Sequence, residues 1–203
     1  SGTTSGTTSG TTSIATAERS TGWATAGVGR REFYAPRRRL AERLAASGIR
    51  SRRLLDAFAS VPRHLLIPEA LRGDAYRNIS LPIGEGQTIS APGTVAQMTE
   101  ALELDGDETV LEVGTGSGYQ AAILSKLVAR VISIERVPRL AASARTALDG
   151  LGVSNVVVHL GDGTDGRPAD APFDAIIVTA AGPEIPMPLV AQLAEGGRLV
   201  GPF

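Results

Sequence analysis

The stretch from Thr109 to Gly118 constrains what this chain can fold into more than any other part of the sequence. Its first five residues form a mostly apolar run that predicts a buried strand. Three glycines follow at alternate positions: Gly114, Gly116 and Gly118. Tyr119–Val128 then carries apolar residues at helical spacing, which predicts a helix. Because glycines expose main-chain N–H groups and the helix points its positive end at them, the sequence predicts a ligand site at this loop.

A second predicted strand adds a carboxylate to this site. Arg130–Ile134 has the composition of a buried strand, and Glu135 stands at its end, about 20 residues after the glycine loop. A carboxylate at this place can accept hydrogen bonds from a ribose diol. The loop, the strand and the acid together favour a cofactor that contains adenosine, and a tight turn without a ligand is the alternative.

The spacing of the glycines distinguishes between such cofactors. A dinucleotide loop usually reads G-x-G-x-x-G, because its glycines clear space for a pyrophosphate. Here the spacing is G-x-G-x-G, and Glu112 lies two residues before the first glycine. A carboxylate there suits a cationic ligand better than a pyrophosphate. S-adenosyl-L-methionine carries a sulfonium, an ammonium and a ribose without a phosphate, so we expect it rather than a nicotinamide dinucleotide.

The remainder of the C-terminal half continues to alternate strands with helices. Further strands are predicted at Asn155–Leu160, Phe173–Ala181 and Arg198–Phe203, with helices at Pro138–Leu148 and Met187–Leu193. This order predicts a parallel sheet whose cofactor lies beyond the carboxyl ends of the strands. Asp162, between Gly161 and Gly163, can accept a hydrogen bond from an adenine amine or can simply form a turn. We interpret His159 as a packed core residue.

The N-terminal half is interpreted as a low-complexity segment followed by two helices. Residues 1–29 begin with three Ser-Gly-Thr-Thr repeats and are predicted to be disordered, so the folded domain is expected to span 30–203. Helices are predicted at Pro36–Ala46 and Ser51–Ser60. The basic run Arg30–Arg39 is either a solvated helix face, which we favour, or a patch for acidic peptide or nucleic acid.

Residues 30–108 also include one long segment without clear periodicity, before the cofactor core at 109–203. Leu81–Pro92 contains two glycines and two prolines, and is interpreted either as a rigid connector or as a lid or substrate loop. Thr94-x-x-Gln97 resembles a capping box and predicts a helix over Val95–Leu102. His64, in an earlier connector, is interpreted as a surface or capping residue.

Composition excludes several classes of function. A net charge of -1 gives no general attraction to nucleic acid or membranes, and we expect neither as a partner. The chain has no cysteine and two histidines, so we expect no disulfide and no metal site. No apolar run is long enough to span a bilayer. We expect a cytoplasmic monomer.

These residues together resemble the protein-L-isoaspartate (D-aspartate) O-methyltransferase family, from about Leu40 to the end of the chain. The resemblance is carried by Val61–Arg63, Leu81–Pro92, Leu111–Gly118, Gly161–Gly163, Ala171–Ala181 and Pro183–Pro186. Gly86–Pro92 is the most specific of these motifs, since many methyltransferases share the glycine loop and few share that run. The resemblance implies an α/β, Rossmann-like methyltransferase fold dependent on S-adenosyl-L-methionine, with a mostly parallel sheet and helices on both faces.

The resemblance also implies roles for individual residues. Ser90 is implied to be the active-site hydroxyl, beside the methyl group and the carboxylate of an isoaspartyl protein or peptide. Ile83 and Gly84 are implied to cover the cofactor, Glu135 to hold its ribose, and Asp162 to meet its adenine. The cofactor is implied to contact these residues: Ile83, Gly84, Gln87, Thr88, Ser90, Glu112, Gly114, Thr115, Gly116, Ser117, Gly118, Glu135, Asp162 and Gly163.

The sequence departs from the family in three places. The chain stops at Phe203, before the hairpin with which the family completes its sheet, so we expect that hairpin to be missing and the fifth strand to be an exposed edge. Gly93 stands where the family often has an aromatic residue or histidine, and Gly201 is expected within the last strand. An aspartate methyltransferase that tailors a dedicated peptide, and a truncated cofactor-binding module without catalysis, therefore stay open beside protein repair.

Overall fold

The structure is a computed structural model that describes residues 1–2, 32–180 and 184–202. The expected disorder of residues 1–29 therefore falls almost entirely outside the described residues. Pro183 and Phe203, which belong to the predicted motifs and to the predicted last strand, also fall outside them.

A five-stranded parallel sheet forms the centre of the fold and confirms the predicted fold class. Its strands are β3 (Thr109–Val113), β4 (Arg130–Glu135), β5 (Val156–Leu160), β6 (Phe173–Val178) and β7 (Leu193–Val200). They lie in the order β5-β4-β3-β6-β7, and every neighbouring pair is parallel. From β3 the chain adds β4 and β5 on one side of the sheet, and then β6 and β7 on the other side. The boundary between β3 and β6 is therefore a topological switch point, where open α/β sheets bind ligands.

Side chains alternate between the two faces of this sheet, as the period of a strand requires. Val110, Val131 and Ile177 belong to a large buried cluster with the N-terminal helices, whereas Leu111 and Ile132 point to a smaller cluster on the other face. The helices between the strands are α4 (Tyr119–Leu124), α5 (Pro138–Gly150) and α6 (Met187–Val190). The larger cluster includes residues of α4 and α5, and the smaller one includes Leu189 of α6.

Two helices and two 3₁₀ turns lie in the described residues before Leu81. They are α1 (Tyr34–Ala46), α2 (Arg52–Ser60), and the turns Arg63–Leu65 and Glu69–Asp74. The Ser51 side chain accepts a hydrogen bond from the backbone N–H of Leu54 and thereby caps the N-terminus of α2. Arg63 is fully buried, with its guanidinium carbon 4.7 Å from the centroid of the Tyr119 ring. This contact fixes the N-terminal unit against the helix that follows the glycine loop.

The segment predicted as a loop is a β-hairpin instead. β1 (Leu81–Gly84) pairs antiparallel with β2 (Gln87–Ile89). Its turn residues, Glu85 and Gly86, have φ angles of 53° and 68°, as a two-residue hairpin turn of type I′ requires. The strands are short and their side chains do not alternate in polarity, so no periodicity in the sequence revealed them.

The predicted capping box is wrong. Helix α3 (Pro92–Glu100) begins two residues before Thr94, and no side chain caps its N-terminus. Pro92 lies in the first turn, where its fixed φ angle suits a helix and its missing N–H leaves no donor unsatisfied. Proline therefore sets the start of this helix, two residues after Ser90.

Three other expectations differ from the structure. The last strand begins at Leu193 rather than Arg198, because Gly196 and Gly197 lie in an irregularity within β7 and do not form a turn before it. A Cβ atom at Gly197 would lie 2.9 Å from the carbonyl oxygen of Ala194. Gly201 follows this strand rather than lying in it. His159 is only half-buried, on the edge strand β5, and is not a core residue.

The interpretation of His64 as a surface residue is also wrong. Its side chain is buried, stacks on the Phe33 ring at 4.2 Å between centroids, and lies 2.6 Å through Nδ1 from the Tyr76 hydroxyl. Burial, with the charges of Arg37 and Arg72, lowers the pKa of His64 to about 4. The imidazole is therefore neutral at physiological pH and acts as a packing group. Among the described residues, no helix is long and apolar enough to cross a membrane.

Candidate active site

A cavity lies at the carboxyl end of β3, between the glycine loop, the hairpin and helix α3. Its volume is about 60 Å³. Six of the predicted site residues line it: Thr88, Ser90, Gly114, Thr115, Gly116 and Ser117. The other lining residues are Ile89, Val95, Met98, Tyr119, Gln120 and Thr179. The hydroxyl predicted to be catalytic and the loop predicted to bind the cofactor therefore share one cavity.

Close contacts with neighbouring strands hold the glycine loop in place. The backbone N–H of Gly114 donates to the carbonyl of Ile134 at 2.8 Å, and Gly114 has a φ angle of 97°. A Cβ atom on Gly114 would lie 2.5 Å from Oγ1 of Thr179, which donates to the carbonyl of Gly114 at 2.6 Å. Glycine is required here because both the φ angle and the close approach of Thr179 exclude a side chain.

Glu135 ends β4 beside the glycine loop, as the sequence predicts. Its two carboxylate oxygens accept hydrogen bonds from the backbone N–H groups of Gly116 at 2.8 Å and Val137 at 2.9 Å. The residue is buried, with 6% of its surface exposed. Each carboxylate oxygen can accept a further hydrogen bond, so Glu135 can hold both the loop and the diol of a ribose.

Glu112 lies beneath the loop in a fully buried chain of hydroxyl groups. Ser133 donates to Oε2 of Glu112, and the Ser133 hydroxyl also bonds to Thr115, which lines the cavity. Burial raises the pKa of Glu112 to about 8, although the hydrogen bond from Ser133 opposes this and Glu135 adds to it. Oε1 of Glu112 is buried without a hydrogen-bond partner among the described residues. A buried carboxylate oxygen that lacks a hydrogen-bond partner is stabilised when a cation or a hydrogen-bond donor binds next to it.

The hairpin formed by β1 and β2 packs against the glycine loop. Cδ1 of Ile83 lies 3.4 Å from the position of a Cβ atom at Gly116, so this side chain packs on the loop. Thr88 and Ser90 line the cavity, and Ser90 is half-buried. Gly84 and Gln87 are exposed at the hairpin and do not line the cavity.

Asp162 and Gly163 follow β5 and approach the site from the side. Asp162 is exposed, and it accepts hydrogen bonds from the backbone N–H of Thr164 at 2.9 Å and from the Thr164 hydroxyl at 2.8 Å. These bonds lower the pKa of Asp162. A Cβ atom on Gly163 would lie 2.3 Å from Cγ1 of Val113, the last residue of β3. Neither residue lines the cavity, but Gly163 packs directly against its supporting strand. Gly118, the last of the predicted loop residues, likewise lies outside the cavity lining and precedes α4 with a φ angle of 83°.

The side chain of Asn78 contacts Gly93, one of the positions at which the sequence departs from the family pattern. Oδ1 of Asn78 accepts a hydrogen bond from the backbone N–H of Gly93 at 2.7 Å. The same oxygen lies 2.9 Å from the position that a Cβ atom on Gly93 would occupy. The Asn78 amide therefore occupies the space beside the start of α3, and it would have to move to admit a larger residue at position 93.

Several residues of the cavity were not predicted. Thr179 comes directly after β6 and bonds to the glycine loop, while Gln120 donates to the Thr99 hydroxyl at 2.9 Å behind it. The strand predicted over Phe173–Ala181 includes Thr179, whereas the observed strand ends at Val178, so Thr179 was not identified as a residue at a strand end. A polar residue at the end of a buried parallel strand, adjacent to the strand with the loop, is the signal that could have identified Thr179.

The chemistry of this donor and acceptor set fits S-adenosyl-L-methionine. The unpartnered oxygen of Glu112 suits a cationic group, Glu135 suits a ribose, and the loop presents backbone N–H groups without side chains. Within the described ranges, no arginine, lysine or histidine lines the cavity, which is unlike a site for a phosphate. The arrangement can hold a cationic donor and present one hydroxyl group, that of Ser90, to a second reactant.

Comparison with known proteins gives a consistent result. The family model described as protein-L-isoaspartate(D-aspartate) O-methyltransferase matches residues 35–203. Protein-L-isoaspartate O-methyltransferase 1 of Syntrophobacter fumaroxidans is 56% identical over 171 residues, which cover 84% of this chain and 80% of that relative.

Two solved structures extend the comparison to the fold. A protein-L-isoaspartate O-methyltransferase is similar with a TM-score of 0.73 and 32% identity over 80% of this chain, and the match spans 54% of that longer chain. A Plasmodium falciparum protein described as a protein-L-isoaspartate O-methyltransferase was solved with S-adenosyl-L-homocysteine. It gives a TM-score of 0.70 with 27% identity, over 80% of this chain and 82% of its own.

Proposed function

The chain belongs to the protein-L-isoaspartate(D-aspartate) O-methyltransferase family, and we propose that it methylates the α-carboxylate of L-isoaspartyl residues in damaged proteins or peptides. Its cofactor is S-adenosyl-L-methionine, since members of this family use it and a similar structure holds its demethylated product. The observation that carries the proposal is the shared cavity, in which the hydroxyl-bearing end of the hairpin faces the glycine loop.

We assign each part of the site a role in this reaction. Glu135 holds the ribose, Glu112 supports the cationic end of the cofactor, and Ile83 covers the loop. Asp162 and Gly163 meet the adenine, beside Val113. The remaining predicted cofactor contacts complete this assignment: Gly84, Gln87, Thr88, Gly114, Thr115, Gly116, Ser117 and Gly118.

Ser90 is the group that contacts the substrate in this proposal. When bound, the cofactor supplies an electrophilic methyl group on a sulfonium. A carboxylic acid of the substrate is ionised at neutral pH, because its ordinary pKa is about 4. The chain therefore needs no general base, and its residues act by orienting a carboxylate. The Ser90 hydroxyl donates one hydrogen bond to that carboxylate, and Val95 and Met98 form an apolar wall of the same cavity.

The experiment that tests this function compares two forms of one peptide. The protein is incubated with radiolabelled S-adenosyl-L-methionine and a peptide that contains either an L-isoaspartyl or a normal aspartyl residue. We expect transfer to the isoaspartyl form alone. Equal or greater transfer to the aspartyl form would favour an enzyme that tailors a dedicated peptide. Cofactor binding by calorimetry without transfer to either form would favour a binding module without catalysis.

The proposal also covers the domain organisation, the cellular location and the oligomeric state of the protein. We propose one methyltransferase domain over 30–203, in which 30–108 supplies the helices and the substrate hairpin and 109–203 supplies the cofactor core. We further propose that it acts in the cytoplasm as a monomer, without a nucleic acid or membrane partner. The absence of cysteine and the net charge of -1 support this setting.

A further inference from the structure

A second concave surface lies beside the active site and, unlike the active-site cavity, is lined by arginines. It is a groove of about 540 Å³ between α1 and the segment that precedes the hairpin. We call it the basic groove and define it by Phe33, Arg39, Arg43, Arg77, Asn78 and Ile79. Phe33 and Ile79 are half-buried and give it an apolar floor, while the three arginines are exposed.

The arginines of the basic groove are only partly neutralised. Arg77 forms an ion pair with Asp74 at 3.0 Å, and Arg43 donates to the carbonyl of Tyr76 at 2.6 Å. Arg39 has no hydrogen bond or ion pair within the described part of the chain. Residues 32–80 contain ten arginines and five acidic residues, whereas the whole chain has a net charge of -1. This segment is therefore basic, and three of its arginines line the groove.

The basic groove is connected to the active site through one residue. Asn78 lines the groove, and its side chain accepts a hydrogen bond from the backbone N–H of Gly93 at 2.7 Å. Gly93 follows Ser90 by three residues, so their Cα atoms are at most about 11 Å apart. An extended peptide advances about 3.3 Å per residue. A substrate held at Ser90 would thus reach the groove within a few residues of the reacting one.

We propose that the basic groove binds the polypeptide that flanks the isoaspartyl residue and selects substrates with acidic side chains there. The inference rests on the proposed function, because it concerns the substrate of the same site. Charge complementarity favours this occupant over the chain's own N-terminal segment, since residues 3–31 contain three arginines and one glutamate. The apolar Phe33 and Ile79 beside the arginines also favour a peptide over a nucleic acid.

The test uses isoaspartyl peptides of equal length that carry two glutamates or two glutamines a few residues from the isoaspartyl position, on either side. Exposed ion pairs are individually weak, so we expect a KM about three- to ten-fold lower for an acidic peptide, with kcat unchanged. Added salt should remove the difference. Arg39→Gln should also remove it, without changing the KM for S-adenosyl-L-methionine.

Arg38→Gln is the matched control, because Arg38 is the adjacent residue of α1, carries the same charge and does not line the groove. Loss of the preference in both variants would indicate a general charge effect and overturn the proposal. Equal KM values for the acidic and neutral peptides would overturn it too, while leaving the methyltransferase activity established.

Binding is measured separately from catalysis, so that failure of the proposed function is recognised as such. A fluorescent acidic peptide with normal aspartate should bind the full chain more tightly than its glutamine version, and Arg39→Gln should weaken it. This result can be obtained even if no methyl transfer occurs. Displacement of the peptide by a short single-stranded oligonucleotide at lower concentration than by unlabelled acidic peptide would assign the groove to nucleic acid and contradict the proposal.

Discussion

The carboxylate of Glu135 accepts a hydrogen bond from the backbone N–H of Gly116 at 2.8 Å. These residues lie 19 positions apart in sequence, at the ends of two neighbouring strands. The bond fixes the middle of the glycine loop to the end of β4, next to the place where a ribose is expected. The acid to which we assign the ribose thus also shapes the glycine loop.

Replacing Glu135 with glutamine should weaken cofactor binding more than it weakens the fold. Glutamine keeps one acceptor oxygen, but it loses the charge and offers an N–H₂ group in place of the second oxygen. Hydrogen bonds to charged groups contribute about 1.5–3 kcal/mol. We therefore expect the Kd for S-adenosyl-L-homocysteine, measured by calorimetry, to rise by about 10- to 100-fold. Glu195→Gln, on an exposed part of β7, is the control and should leave the Kd unchanged. A normal Kd in Glu135→Gln would remove this residue from the ribose site.

Glu112 should make the stability of the free protein fall as pH rises. In the unfolded chain this carboxyl group ionises near pH 4.5, whereas burial raises its pKa to about 8 in the folded protein. Between these values the folded state holds a proton that the unfolded state has lost, so the free energy of unfolding decreases with increasing pH. Above about pH 8 both states are ionised, and this dependence ends.

Glu112→Gln removes that titration and provides the measurement. Urea unfolding of both proteins at about pH 6 and about pH 7.5 should show the wild type losing roughly 1–2 kcal/mol relative to the variant over this range. Comparing the two proteins cancels the contributions of other titrating groups. Identical pH dependence in both would mean that Glu112 is ionised throughout, and would remove the argument for its raised pKa.

Ser90→Ala should separate catalysis from cofactor binding. The hydroxyl is at the end of the hairpin and lines the cavity, so its loss removes a donor positioned for the substrate carboxylate. Removal of one such donor typically lowers kcat by about 10²–10³-fold. We expect a decrease of this size with an isoaspartyl peptide, while the Kd for S-adenosyl-L-homocysteine changes by less than about three-fold. Ser80→Ala, on an exposed residue before the hairpin, should behave as the wild type. An unchanged kcat in Ser90→Ala would exclude the proposed role.

The elements that carry the cofactor loop were predicted correctly from local sequence. β3 and the glycine loop follow from an apolar run and three glycines, and Glu135 follows from the end of the next strand. The start of α3 was misplaced because Thr94 and Gln97 match a capping pattern by chance, while Pro92 sets the start of the helix. Local patterns compete in such segments, and the sequence does not show which of them prevails.

Contacts between distant residues explain the other differences. Thr179 is 65 residues from Gly114, and only the order of the strands brings them together. Likewise, His64 is buried because Phe33 and Tyr76 surround it, and neither lies beside it in sequence. Pairing of β1 with β2 depends on the positive φ angle of Glu85, an unusual residue for this conformation, so no turn motif predicted the hairpin.

The glycines on either side of Asp162 should respond very differently to substitution by alanine. Both have φ angles that alanine can adopt. A Cβ atom at Gly163 would lie 2.3 Å from Cγ1 of Val113, whereas at Gly161 the nearest atom, Cγ2 of Ile134, would lie 3.9 Å away. Val113 is part of β3 and cannot yield without moving the strand that carries the glycine loop. Gly163→Ala should therefore destabilise the protein by about 1–3 kcal/mol.

Cofactor binding should follow the same pattern, because the displaced strand leads directly into Gly114. We expect the Kd for S-adenosyl-L-homocysteine to rise at least about ten-fold in Gly163→Ala, a loss of about 1.4 kcal/mol of binding free energy. Gly161→Ala is a matched control with the same added methyl group two residues away, and both its Kd and its urea midpoint should stay near those of the wild type. If the two variants were equally affected, the added side chain would act on the turn around Asp162 rather than through Val113. The packing of Gly163 on β3 would then have no part in holding the cofactor site.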